Sequence, residues 1–438
     1  MIAIIGAGIT GLTVAEHLIR HKKDCYLFEA SPHLGGNMQS FYQGNYLLEK
    51  GPNSLRINDD IYAFLEELGI HEDILYTHKR ARFRFVLKNG KYQKLPSGLL
   101  SFLFSSFFSF DAKKQLWKER NIPPEDFPNE SIANFFRRRF GEEITTYVVA
   151  PFISGIFAGD PEKLLIKEAF SRVWELERKH RSVVRGAFKQ TNKQKKKGII
   201  SFPKGLGYIN DAIVGRIKSR IKTNHRIEHI RKTVDGFHLF VKGKSTPIKA
   251  QQLVSTLPAY QLAPITQEIH PAFSKALEGI YYPPVSLVYT AFKRQDVGHK
   301  LNGFGALHNH KEPSHTLGTI FSSSLFEGRC PTDEVLLTTF VGGCVKAEKA
   351  LQPPVKVKQD VLEDLRKFLD ISGEPTFQHM TEYPKAIPQY DKNILAYRPF
   401  IPELQEIGIH IGGNWVSGIS VGDCILYGKK LAHRLLAS

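Results

Sequence analysis

The chain is poor in cysteine, in acid and in long apolar runs, and each shortage removes a class of protein. Four cysteines, Cys25, Cys330, Cys344 and Cys424, are scattered over 438 residues with no CxxC pair. That spacing excludes a zinc motif and a disulfide framework and favours a reducing compartment. No run approaches the roughly 20 apolar residues of a membrane-crossing helix. The amino-terminal apolar run, Met1 to Ile5, has no basic flank and is soon cut by glycine, so it is a strand and not a signal peptide. No internal repeat is visible. Acidic residues number 43 against 60 lysines and arginines, a formal charge of +17. Such an excess favours anionic company: nucleic acid, an acidic lipid surface, or a carboxylate- or phosphate-bearing small molecule. What remains is ordinary globular usage, 42% hydrophobic and 24% charged. At 438 residues, two or three domains are expected.

The opening is β-α-β: a strand over Met1 to Ile5, a glycine turn, a helix over Thr10 to His21 with Leu12, Ala15, Leu18 and Ile19 at helical spacing, and a strand over Asp24 to Glu29. A helix follows at Asp59 to Leu68, and Arg82 to Leu95 forms a hairpin about Asn89-Gly90. From Pro96 the character changes. Leu99 to Phe110 holds eight Leu or Phe, five of them Phe, among serines. This is either a buried helix pair or a patch suited to a membrane interface. Arg178 to Lys197 holds nine Lys or Arg and no acid. By itself it is a solvated loop; beside an aromatic patch it supplies the second signal of peripheral membrane attachment, attraction to anionic lipid. Nucleic-acid binding is disfavoured, because no aromatic beyond Phe188 interleaves those cations.

From Ile199 the α/β character returns, with a helix over Tyr208 to Ile221 and strands at Arg226 to Ile230, Gly236 to Val241 and Gln252 to Thr256. Beyond Pro264 a substrate-facing region carries strands at Ser286 to Phe292 and Val335 to Val341 and a helix over Val357 to Leu369. The end is again of nucleotide-binding type: a strand over Ile407 to Ile411, a turn at Gly412 to Asn414, and a helix over Val421 to Leu436.

Gly6-Ala7-Gly8-Ile9-Thr10-Gly11 follows a strand and opens a helix, as a dinucleotide fingerprint requires. Gly6 makes the turn, Gly8 admits a pyrophosphate, Gly11 lets helix and strand pack closely, and the helix N-terminus offers its N–H groups to phosphate. Glu29 ends the second strand, where a carboxylate can accept from both ribose hydroxyls. NAD and FAD share this fingerprint. After Glu29 come Ala30 and then Gly35-Gly36-Asn37, a double glycine similar to that of the flavoprotein group of amine oxidases, phytoene desaturases and porphyrinogen oxidases. Gly412-Gly-Asn414-Trp-Val-Ser-Gly-Ile419-Ser420-Val421-Gly-Asp423 resembles that group's terminal flavin motif. Together the two imply FAD.

Five further stretches resemble the protoporphyrinogen/coproporphyrinogen oxidase family of this group. They are Leu48-Glu-Lys-Gly51-Pro52-Asn53-Ser54, Arg84-Phe-Val-Leu-Lys-Asn-Gly90, Pro151 to Pro161, Leu317 to Phe326, and Tyr383-Pro-Lys-Ala-Ile-Pro-Gln-Tyr390. The resemblance runs over the whole chain. It implies an α/β fold: a Rossmann-type FAD-binding domain from 1–80, 199–264 and 405–438, a mixed α+β substrate domain from 81–95 and 265–404, and an inserted helical, membrane-associating domain from 96–198. It also implies that Gly51 to Ser54 lie along the flavin and that Ile227 joins the cofactor set. Arg84, or its neighbour Arg82, would pair with a propionate through the two-pronged guanidinium. Leu307 and Phe326 would border the macrocycle, with Gly155 and Ala158 beside it.

The implied reaction is removal of six electrons from a porphyrinogen in three two-electron steps, with molecular oxygen as acceptor and the flavin carrying the chemistry. No side-chain triad or metal is needed, and the pair His308 and His310 lacks a third ligand. Asn37 stands where many members have Arg or Lys, as it does in plant-type members. Protoporphyrinogen IX, with two propionates, and coproporphyrinogen III, with four, are both open as substrates: the Phe-rich patch favours the first and the basic charge the second. A flavin amine oxidase and a non-catalytic flavin-fold protein compete with the porphyrinogen oxidase from other classes. The expected location is cytoplasmic, peripheral on the inner face of the cytoplasmic membrane.

Overall fold

Strand Ile2–Ile5 is apolar without alternation because both its faces are covered. The computed structural model describes residues 1–96, 98–189 and 195–437. In it this strand is central to a five-stranded, all-parallel sheet in the order Ile221–Lys222, Cys25–Phe28, Ile2–Ile5, Gln252–Ser255, Ile409–Ile411. One face is packed by helices Ile9–Arg20, Asp59–Glu67, Tyr208–Ile217 and Val421–Ala437, through Leu12, Phe64, Ile213 and Ile425. On the other face Ala3, Ile5 and Phe28 meet an antiparallel sheet of Ile227–Thr233, Gly236–Val241 and Ile248–Ala250 together with helix Ala259–Thr266.

Two expectations fail here. The helix from Tyr208 stops at Ile217, and Ile221 pairs with Leu27, because the open edge of the parallel sheet offers it backbone partners. Asn414 opens a short helix, Asn414–Ser417, after Gly413, whose φ is 105°.

The second large sheet has seven strands in the order Phe377–Tyr383, Val285–Lys293, Glu334–Gly342, Gly318–Ile320, Gly305–Leu307, Arg84–Lys88, Lys91–Lys94. Only Gly305–Leu307 and Arg84–Lys88 run parallel. Asn89 and Gly90, with φ of 56° and 72°, close the hairpin as a primed turn needs. Helix Pro354–Leu369 covers one face through Val357, Val361 and Leu365.

Residues between the hairpin and strand Gly198–Ser201 are mainly helical. The basic stretch is not a loop over 178–189. It continues helix Ser171–His180 and forms Val183–Lys189, because Val183 and Val184 pack on Phe107 and Phe108 and because Glu119 accepts hydrogen bonds from Ser182 Oγ at 2.5 Å and the Val183 N–H at 2.9 Å. Lys193 lies outside the described residues. Arg139 is fully buried, 3.2 Å from both Glu119 and Glu177, and donates to the carbonyls of Ile122 and Arg181. The aromatic patch divides: Phe107 and Phe108 are 2% and 5% exposed, Phe104 and Phe110 87% and 79%. Among the described residues no helix is long and apolar enough to cross a membrane.

Candidate active site

The fingerprint forms a cradle. Gly6 takes φ 101°, and a Cβ on Gly11 would stand 2.0 Å from the Gly6 carbonyl oxygen, so strand and helix touch backbone to backbone. Beside Gly8, in contrast, a Cβ would meet no protein atom within 4 Å. Helix Ile9–Arg20 starts there with no side-chain cap and no acid in its first turn, so its first N–H groups have no side-chain acceptor. The Glu29 carboxylate accepts from the backbone N–H of Ala7 and of Ser31, each at 2.9 Å. This holds it in place with lone pairs to spare. The Gly35 N–H donates to Ala7 O at 2.8 Å, and a Cβ on Gly36 would stand 3.2 Å from Gly8 Cα. Gly51 lies against the Asn37 carbonyl, and Asn53 Nδ2 donates to Gly51 O at 3.2 Å. Ile227 is buried with Ile5 and Phe28 below the cradle.

The terminal segment closes the same space. Gly412 packs on Thr10. Ile419 and Val421 pack on the two cores that flank the parallel sheet. Ser420 Oγ accepts from the Asp423 N–H at 3.0 Å and donates to its carboxylate at 2.6 Å, so that side chain caps the last helix. Tyr390, which lies outside the expected set, organises the segment: its hydroxyl donates to Asn414 O at 2.5 Å and accepts from the Gly418 N–H at 2.9 Å. Burial pushes its phenol far above the usual range, so it stays a donor. An open side at Gly8, a helix N-terminus free of acid, a fixed carboxylate and converging glycines suit an extended dinucleotide such as FAD.

The other wall comes from the seven-stranded sheet. Arg84 begins its strand opposite Gly305, with its guanidinium 5.3 Å over the Phe304 ring and no carboxylate partner among the described residues. Arg82 and Lys94 instead lie against the Phe83 ring, at 4.7 and 3.1 Å from its centre. Leu307, two residues along from Gly305, fills the space beside Gly155, where an added Cβ would come within 2.4 Å of Leu307 Cδ2. Ala158 ends helix Ala150–Phe157 in the left-handed region, its carbonyl accepting from the Cys344 N–H at 2.7 Å. Phe326 is buried in a cluster with Leu325 and Ala81, against which Ile199 and Phe304 pack.

Strand Gly305–Leu307 therefore joins two groups, Arg84 with Phe304 and Phe326 at one end and Leu307 with Gly155 at the other. Phe326 and Asn53 also line one narrow cleft, shared with Glu49 and Arg329. Burial pushes the Glu49 carboxyl up against the pull of Arg329, 3.7 Å away. Sequence reasoning missed Arg329, since nothing local marks it. His308 is no ligand: its nitrogens face Tyr92 Oη at 2.7 Å and Thr316, and burial holds it down at about 3.

The sequence model of the family described as "Flavin containing amine oxidoreductase" matches residues 9–436. The chloroplastic protoporphyrinogen oxidase of Nicotiana tabacum is 32% identical over 456 residues, covering 96% of this chain and 83% of that protein. The coproporphyrinogen III oxidase of Bacillus subtilis (strain 168) is 26% identical, covering 98% of this chain and 96% of that one. A solved structure from Exiguobacterium sp. 255-15 is similar in fold, with a TM-score of 0.82 at 20% identity over 99% of this chain and 98% of that one.

Proposed function

Because the chain belongs to the family of flavin-containing amine oxidoreductases, we propose that it oxidises protoporphyrinogen IX to protoporphyrin IX in haem and porphyrin biosynthesis, with molecular oxygen as acceptor. Its cofactor is FAD, which supplies the two-electron, hydride-accepting chemistry. The observation that carries the substrate class is the wall along Gly305–Leu307: an apolar face of Phe304, Phe326 and Leu307 with the unpaired Arg84 guanidinium at one end. An amphipathic disc with carboxylates on one edge matches that wall. Arg84 holds a propionate, Leu307 lies against a ring face and keeps water out, Phe326 backs Phe304 from the buried cluster, and Gly155 and Ala158 keep the helix end close. An amine substrate fits poorly, since its ammonium would face an uncompensated cation.

Coproporphyrinogen III is the second reading, supported by the four cations Arg56, Arg82, Arg84 and Lys94, none of them in a salt bridge with a carboxylate among the described residues. For location, peripheral attachment to the inner face of the cytoplasmic membrane is supported by exposed Phe104, Phe110, Trp117 and Phe188. Phe110 and Trp117 share a helix face, and these four residues sit on elements packed around one cluster of Phe107, Phe108 and Val183. Arg185 and Lys189 on the last of those helices add attraction to anionic lipid.

The test is aerobic turnover of the purified holoenzyme on both porphyrinogens, followed by porphyrin fluorescence, with Arg84→Ala alongside. Loss of one charge-assisted hydrogen bond predicts a KM raised roughly 10-fold or more in that variant. Turnover of neither substrate by the wild-type protein overturns the reading.

A further inference from the structure

Arg56 lies on strand Leu55–Ile57 between two buried neighbours, with its own side chain exposed. It stands opposite Ile199 in the antiparallel pairing with Gly198–Ser201. Directly opposed residues project to the same side of a sheet, so Arg56 rises from the face on which Ile199 packs against the cluster of Ala81, Leu325 and Phe326, as Phe304 also does. Arg84 reaches the same cluster from the other side, over the Phe304 ring. Among the described residues neither arginine has a carboxylate partner, although 43 acids are available to the chain.

We infer that Arg56 is a second carboxylate receptor, which together with Arg84 takes two carboxylates from one edge of a tetrapyrrole whose body lies on Phe304. The inference rests on the porphyrinogen reading above and adds to it the recognition of a pair of propionates on neighbouring pyrroles, an arrangement found in both candidate substrates. Like charges set beside one another cost energy unless an anion comes between them. In line with this, burial holds the Arg84 guanidinium below its usual value and the charge of Arg56 acts in the same direction. The backbone of Leu55–Ile57 carries the strand pairing, so Arg56 can be changed without loss of the sheet.

The experiment compares wild type, Arg56→Gln and Arg56→Lys as holoenzymes on protoporphyrinogen IX and on its dimethyl ester, whose propionates are neutral. Arg56→Gln should raise KM for the diacid roughly 10-fold with kcat within about two-fold, and Arg56→Lys should restore part of the loss. On the diester wild type and Arg56→Gln should show the same KM. An unchanged KM on the diacid, or an equal rise on the diester, overturns the role of Arg56 while wild-type turnover leaves the functional reading standing. Absence of wild-type turnover on any porphyrinogen overturns both.

Discussion

Gly8 and Gly11 differ by three positions in one motif, yet the structure gives them separable roles. Replacing Gly11 by alanine puts a methyl 2.0 Å from Gly6 O and 2.7 Å from Thr256 Oγ1. The Gly6 carbonyl cannot retreat without moving the end of strand Ile2–Ile5. Overpacking of this kind costs about 1–3 kcal/mol or more, offset by about 1 kcal/mol from the better helix former. Replacing Gly8 puts the methyl into space with no protein atom within 4 Å, at a φ of −72° that alanine accepts. The apoprotein should then lose less than about 1 kcal/mol, the difference between glycine and alanine at an N-cap.

Flavin content should respond in the opposite sense to folding: Gly8→Ala blocks the path of the pyrophosphate without disturbing the fold. Two assays separate the effects, urea unfolding of the apoproteins and flavin released per chain from the purified holoproteins. Thermal melting is the poorer choice. At about 2 cal/mol/K per residue, 2 kcal/mol lowers the Tm of a chain of this length by only about 2 °C. Full flavin occupancy in Gly8→Ala, or a wild-type urea midpoint in Gly11→Ala, would refute the reasoning.

Two other perturbations test the scaffold. Arg139→Met leaves Glu119 buried without a cation, while Glu177 keeps Arg138 at 2.5 Å, and should cost about 3 kcal/mol in urea unfolding; an unchanged midpoint would mean that this cluster is not the anchor of the helical region. His17 is held at about 4 by burial and by the neighbouring cations. Between that value and its ordinary 6.5 the unfolded chain binds a proton that the folded chain refuses, so stability falls as pH drops through this window, by up to about 3 kcal/mol. His17→Gln should flatten the difference between urea midpoints at pH 7 and pH 5, and an unaltered pH dependence would sink that assignment.

Where structure is local, the sequence was informative. The primed turn at Asn89-Gly90, the helix after Gly8 and the helix from Val421 follow from conformational preferences that act within a few residues. Elements held by distant partners were not legible. Nothing near Arg178 announces that Val183–Lys189 will be helical, because its support comes from Glu119, Phe107 and Phe108. Ile221 looked like the end of a helix because its strand partner, Leu27, is about 200 positions away. The same holds for the site. The glycines and Glu29 declare themselves by spacing, whereas Tyr390 ties down Asn414 and Gly418 from another region, and Arg56 is brought to the side of Ile199 only by strand pairing. Phe104 to Phe110 defeated a single reading because the break between two helices turns adjacent phenylalanines to opposite sides.

The parallel sheet has a consequence for how the protein is made. Its strands are written at the beginning, the middle and the end of the chain, and Ile409–Ile411 pairs with Gln252–Ser255 as the last of them. At about 5–20 residues per second of synthesis, the fingerprint waits roughly 20–80 s for the segment that closes its cradle. For roughly the last 8–30 s of that interval, at the same rate, the edge of Gln252–Ser255 is unpaired and open to wrong partners. Flavin loading therefore belongs to the time after this segment has been made, and the yield of holoenzyme in a cell should follow the supply of free flavin and of chaperones at that moment.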